Sequence, residues 1–157
     1  MKRLITAILI TTLMAGFAYA KTLRGTAAEA VQMVEKAVAY ITNSGQEKAF
    51  QEISNPKGQF VDRDLYVYVV NMDGVILAHG ADQNLIGKNM RDVRDMDGKP
   101  FIRDLLRMAK VKNSGWFDYK WPNPITKEIE PRSEYYQRMG DLIVCSGIYY
   151  PDQPFET

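Results

Sequence analysis

Leu65-Tyr66-Val67-Tyr68-Val69-Val70 runs into Asn71-Met72-Asp73-Gly74, and Val75-Ile76-Leu77-Ala78-His79 runs out. Leu65, Val67 and Val69 alternate with Tyr66, Tyr68 and Val70, which is the two-residue period of a strand. Asp-Gly beside an Asn is a strong short-range hairpin signal. The stretch therefore predicts two antiparallel strands. Both of their faces are apolar or aromatic, so both faces need a cover.

On the amino-terminal side, Thr26-Ala27-Ala28-Glu29 reads as a capping box. Ala30, Val34, Ala37, Val38 and Ile41 follow at helical spacing and form an apolar stripe. Gly45 is the expected stop, and a short second helix is expected over roughly Glu47 to Ile53. On the carboxyl side, Gly80 to Lys99 is polar and irregular. Pro100 is expected to open a helix over Phe101 to Lys110, with Ile102, Leu105, Leu106 and Ala109 on one side. A strand over Trp116 to Trp121, a proline-bearing loop from Pro122 to Pro131, and strands over Arg132 to Met139 and Leu142 to Tyr149 complete the chain. Short links favour antiparallel pairing. The amino-terminal helix then covers one sheet face and the 80–113 insertion roofs the other. That is an α+β domain with a cavity under its roof.

The 157 residues suit one domain, and 46% hydrophobic content is enough for a core without disulfides or metal. Nine Tyr, six Phe and two Trp exclude disorder as the main state. Twenty basic against nineteen acidic side chains argue against non-specific nucleic-acid binding. One Cys and one His exclude a zinc site built on several such ligands. Met1-Lys2-Arg3, an uncharged run from Leu4 to Phe17 and Ala18-Tyr19-Ala20 form the three parts of a secretory signal peptide, with cleavage expected after Ala20. An uncleaved anchor is the alternative. Cleavage removes Lys2 and Arg3, leaving eighteen basic and nineteen acidic side chains and a net charge of −1. A periplasmic location follows as the expectation.

Phosphate loops, nucleophile elbows and paired metal-binding histidines are missing from the sequence, so no cofactor or metal is expected. Asp92, Asp95 and Asp97 hint at a calcium loop, but Val93 and Arg103 stand where ligands are needed, so a solvated acidic turn is expected. Cys145 and His79 offer a thiol–imidazole pair as the enzyme alternative, without support from spacing. Tyr66, Tyr68, His79, Trp116, Tyr119, Trp121, Arg132, Tyr135 and Tyr149 form a larger set. Two readings stand for it: an apolar-walled ligand pocket with a few fixed polar tips, or a plain aromatic core.

Six blocks occur in order: DGVILAH (73–79), LIGKN (85–89), DMDGKPF (95–101), GWFDYKWPNP (115–124), PRSEYY (131–136) and GIYYPD (147–152). Together they resemble the single Cache domain (Cache type 2-like), the extracytoplasmic sensor module of chemoreceptors and histidine kinases. The resemblance covers roughly Thr26 to Asp152. It implies a PAS-like fold, with a long helix against a five- or six-stranded antiparallel sheet and a pocket on the opposite face. It also implies a short organic acid as ligand, of the acetate, propionate, lactate or pyruvate type, and a membrane-bound chemoreceptor or histidine kinase as partner. Three departures stand out. The family usually sits between two membrane spans with a signalling domain beyond, whereas this sequence stops at Thr157. Arg132 stands where Lys is commoner, and Cys145 where a smaller residue is expected.

A carboxylate leaving water needs charge-assisted donors, and Arg132 is the first candidate because its fork can grip two oxygens. The alternative is an exposed ion pair with Glu130 or Glu134. Tyr119 and Tyr68 are expected hydroxyl donors, and Trp121 and Trp116 expected walls. Tyr66, Tyr135 and Tyr149 are further members. His79 either faces the pocket or caps a turn near Asp82. A six-atom acid is limited to about −9 kcal/mol. Reaching that needs near-complete enclosure, hence a mobile roof over roughly 80–99. Two other readings remain: an amine or amino-acid site with Asp118 as the pocket acid, against which its strand parity, opposite to Tyr119 and Trp121, argues, and a ligand-free structural module.

Overall fold

In the computed structural model, which describes residues 24–150, α1 (Ala27–Ser44) begins at the expected capping box. Thr26 Oγ1 accepts from the Glu29 amide at 3.3 Å, and Glu29 Oε2 accepts from the Thr26 amide at 2.8 Å. Gly45, at φ 80°, ends the helix and joins it to α2 (Gln46–Ile53). Ala30, Val34, Ala37 and Ile41 are buried, so the apolar stripe faces the sheet.

Val61–Asp62 (β1) and Leu65–Tyr66 (β2) form a two-residue ribbon. Tyr68–Asn71 (β3) and Ile76–His79 (β4) form the hairpin, interrupted from β2 at Val67 and bulged between Val69 and Val70. Gly74 holds φ 90° in the turn, a conformation that suits glycine. A short 3₁₀ turn (Gln83–Leu85) and irregular backbone lead to α3 (Phe101–Val111), where Pro100 is the cap rather than the first helical residue. Ser114–Pro122 (β5), Ile129–Met139 (β6) and Leu142–Tyr149 (β7) follow. The five-stranded sheet has the order β4-β3-β7-β6-β5, all antiparallel.

The loop before β6 is shorter than expected, because Ile129, Glu130 and Pro131 belong to the strand. Pro131 is tolerated there for a geometric reason. Its carbonyl accepts from Tyr150, so its nitrogen faces the far end of β7 and its missing N–H breaks no bond to β5.

Central strand β7 is buried at all eight positions, as a strand covered on both faces must be. One core lies between the sheet and α1–α2, built on Val34, Ile41, Phe60, Val67, Val69 and Val144. The second lies between the sheet and the roof formed by residues 80–99 and α3, and includes Tyr66, Tyr68, Phe101, Leu105 and Tyr119. Val67 and Val69 enter the first core and Tyr66 and Tyr68 the second, as strand alternation requires.

Candidate functional site

The roofed core contains a cavity of about 20 Å³, lined by Tyr66, Tyr68, Ile76, His79, Leu85, Met90, Phe101, Ile102, Tyr119 and Trp121. The sheet supplies its polar tips, while α3 and the irregular segment supply apolar cover. The cavity is smaller than the sequence suggested, with room for about one water at 10–15 Å³ each. Phe101 stacks on Tyr119 with ring centroids 4.5 Å apart and tilts against Trp121 at 5.2 Å, filling the space.

His79 pairs with Tyr68 across the hairpin and its ring stacks on the tyrosine at 5.7 Å. Its Nδ1 accepts from the amides of Ala81 (3.2 Å) and Asp82 (2.9 Å). Both sequence readings of His79 are therefore met in one side chain, which caps the turn and lines the cavity. Two amide donors on Nδ1 fix the proton on Nε2. Burial, then the nearby Arg132, lowers the imidazole pKa to about 4, so the ring is neutral. Tyr68 Oη is buried with no hydrogen-bond partner, and burial pushes the pKa values of Tyr66, Tyr68 and Tyr119 well up.

Arg132 is turned inward and 1% exposed. It stands behind the cavity wall, with its guanidinium carbon 4.2 Å from the Tyr66 ring and 4.6 Å from the Tyr149 ring. Tyr66 and Tyr149 are joined through their hydroxyls at 3.1 Å, and Tyr149 donates to the Pro122 carbonyl at 2.9 Å. Arg132 Nε donates to Glu134 Oε2 and Nη2 to Glu134 Oε1 at 3.3 Å. Tyr119 Oη also donates to Glu134 Oε2, at 2.9 Å. Neither charged side chain of this pair is exposed to solvent. Burial opposes the guanidinium's charge, yet the facing Glu134 and the surrounding tyrosine oxygens outweigh it and hold its pKa above the ordinary value. Arg132 Nη1 is left buried and unpartnered. An unmet buried donor costs about 1–3 kcal/mol, so Nη1 and Tyr68 Oη are groups that an oxygen-bearing ligand would satisfy.

A family model described as "Single Cache domain 2" matches residues 13–153. The chain belongs to the single Cache domain 2 family. It is 24% identical over 123 residues to the methyl-accepting chemotaxis protein McpP of Pseudomonas putida, covering 77% of this chain and 22% of McpP. It is 29% identical over 92 residues to the sensor histidine kinase MctS of Rhizobium johnstonii, covering 57% of this chain and 20% of MctS. The chain thus spans about a fifth of the length of these relatives. Among solved structures it is similar to a Cache chemosensory domain described for carboxylic acid recognition. The TM-score is 0.70 at 21% identity, covering 87% of this chain and 98% of that one. A methyl-accepting chemotaxis protein of Vibrio parahaemolyticus gives 0.69 at 20% identity, covering 93% and 99%. The α+β, PAS-like Cache fold expected from the sequence is thus the fold of this chain. Cache domains of this kind are sensor modules of chemoreceptors and histidine kinases.

Within this Cache domain, Tyr66, Tyr68, His79, Tyr119 and Trp121 line one cavity, and Arg132 and Tyr149 stand directly behind it. Trp116 and Tyr135 do not join them. They are cross-strand partners with rings 5.3 Å apart on the opposite sheet face, and Trp116 is 38% exposed. The expectation that Trp116 walls the pocket is corrected by strand parity: 116 is out of phase with 119 and 121, and 135 with 132. Asp118 shares the phase of Trp116 and is exposed, so it is not a pocket acid. Glu134 is the carboxylate inside. Alternation along β6 carries that signal, since an inward Arg132 places Glu134 inward as well.

Cys145 and His79 flank Tyr68 in one row, two strand spacings or about 10 Å apart, so they form no thiol–imidazole pair. Burial, then Glu134, pushes the Cys145 thiol pKa well up. Asp95 accepts from the amides of Asp97 (3.0 Å), Lys99 (2.9 Å) and Lys120 (3.0 Å). Asp92 pairs with Arg103, and Asp97 with Lys120 at 3.2 Å. The three acids are thus engaged in turn and surface contacts. Among the described residues, no helix is long and apolar enough to cross a membrane. The proposed signal peptide lies outside the described residues.

Proposed function

We propose that the protein is a periplasmic binding module for a short monocarboxylate of the acetate, propionate, lactate or pyruvate type. Its ligand-bound form would be read by a membrane-bound chemoreceptor or histidine kinase, after export with removal of residues 1–20. One observation carries the ligand class. An otherwise apolar-aromatic chamber presents the His79 Nε2 proton and the unpartnered Tyr68 Oη, with the unpartnered Arg132 Nη1 behind Tyr66. These are donors without a matching acceptor, as a carboxylate requires. Likeness to a Cache domain described for carboxylic acid recognition supports the same class. Glu134 does not invite an amine, because both of its oxygens already accept from Arg132 and Tyr119.

A thermal-shift series with the four acids, amino acids and simple amines tests this. A specific ligand at a hundred times its dissociation constant stabilises by about 2.7 kcal/mol, several degrees for a domain of this size. Arg132→Ala is expected to lose the shift. A midpoint moved by amines alone overturns the reading, and so does one moved by nothing.

A further inference from the structure

The cavity is rich in donors, yet the charges around it already cancel. Arg132, behind the Tyr66 wall, is the one buried cation beside it among the described residues, and Glu134 on the same strand takes two of its donor groups. The titratable groups within electrostatic reach of Glu134 come from the neighbouring strands: Tyr119 from β5, which also donates to it, Cys145 and Tyr149 from β7, and Tyr66 and Tyr68 from β2 and β3. All of these are neutral. His79, on β4, is neutral too. From α3 only apolar side chains are buried here, Phe101 and Ile102 among them. Two further carboxyls are buried outside the cavity lining: Glu130, and Asp64, which accepts from the Gly25 amide at 2.6 Å and leaves Oδ2 unpartnered. Arg24 is engaged with Glu130 at 2.7 Å.

An anion entering such a place adds an uncompensated negative charge to a desolvated and already balanced set. The electrostatic cost of that is far larger than the cost of one proton taken from water near neutral pH. Resting on the monocarboxylate reading above, we propose that Glu134 is the specificity-determining residue that makes this a site for a carboxylate together with one proton, a net-neutral acid. The proton balances the charge that Glu134 already places against Arg132. A dicarboxylate brings a second charge with nothing to meet it and is rejected.

The test is calorimetry of the protein with sodium propionate at pH 7, in phosphate and in Tris. Their different ionisation heats convert proton uptake into a difference in apparent enthalpy. About one proton taken up per propionate is expected, with Kd rising about tenfold per pH unit between pH 6 and 8, where propionate is fully ionised. In Glu134→Gln the uptake is expected to vanish and Kd to lose its pH dependence, because Arg132 then meets the ligand's charge alone. Succinate is expected to give no binding heat with the wild-type protein. Propionate binding without proton uptake overturns this inference and leaves the monocarboxylate reading intact. Uptake that survives in Glu134→Gln overturns it as well. If that variant does not fold, the wild-type proton count decides. If none of the four acids binds, the monocarboxylate reading fails, and this inference with it.

Discussion

At the scale of single residues, the site is built from side chains that satisfy two demands at once. His79 caps the turn through Nδ1 while its ring lines the cavity and stacks on Tyr68. Arg132 is both inward-facing and ion-paired, where the sequence presented these as alternatives. Composition shows which residues have polar tips, but not whether a partner will also be buried. His79 makes a pH prediction with a definite sign. Its native pKa is about 4, while an unfolded histidine titrates near 6.5. Between those values the unfolded chain binds a proton that the folded chain refuses, so stability falls as pH drops through that window. The full loss is roughly 3 kcal/mol for a side chain this buried. Urea unfolding at pH 7.0 and pH 4.5 is expected to show most of it. His79→Asn, which keeps an acceptor for the Ala81 and Asp82 amides, is expected to flatten the curve over this range. An unchanged slope in that variant would mean that other groups carry the dependence.

At the scale of elements, β6 and β7 explain how a carboxylate comes to lie inside the sheet's pocket face. Gly147 pairs with Glu134 across the two strands. A Cβ on Gly147 would stand 2.8 Å from Glu134 Cα and 2.9 Å from Glu134 Oε2. The glycine leaves the space that the carboxylate fills, and this close approach gives a physical reason for the glycine of the GIYYPD block. Gly147→Ala is therefore expected to cost about 1–3 kcal/mol, since overpacking forces side chains and backbone to shift. Its thermal midpoint is expected to fall by several degrees, and its propionate affinity to weaken, because Glu134 and Arg132 move together. A midpoint within a degree of wild type would contradict the register. The hairpin at 65–79 and α1 were legible because their periods are clean and their ends carry turn or cap chemistry. The phases of β5 and β6 are equally legible, and they set Asp118 apart from Tyr119 and Trp121; residue type alone groups Trp116 and Tyr135 with Trp121 and Arg132, where the same alternation separates them. The start of β6 was hidden by Pro131, which reads as a loop residue until its place beyond the end of β7 is known.

At the scale of the whole molecule, one sheet separates two cores of different character, a largely aliphatic one under α1 and an aromatic-rich one under the roof. The layers follow from the alternating apolar faces and the capping box. The volume left under the roof does not, because it depends on how Phe101, Met90 and Trp121 fill the space rather than on which residues are present. A cavity of about 20 Å³ holds about one water, so an acid of four to six heavy atoms enters only if the roof gives way. Asp95 fastens that roof. Its Oδ1 holds the 95–99 turn together, and its Oδ2 accepts from the Lys120 amide, between the lining residues Tyr119 and Trp121. Asp95→Ala removes three charge-assisted bonds at a partly exposed position, so a loss of about 1–3 kcal/mol is expected. Most of that loss should appear as easier local opening, because the bonds tie the roof down rather than hold the sheet together. If opening gates entry, stopped-flow measurements with propionate should show association and dissociation both faster by about fivefold or more, with Kd changed far less than either rate. Amide exchange over 83–99 should accelerate in the same variant, while α1, behind the sheet, keeps its protection. Rates equal to wild type would mean that the ligand reaches Tyr68 and His79 by a path that Asp95 does not guard.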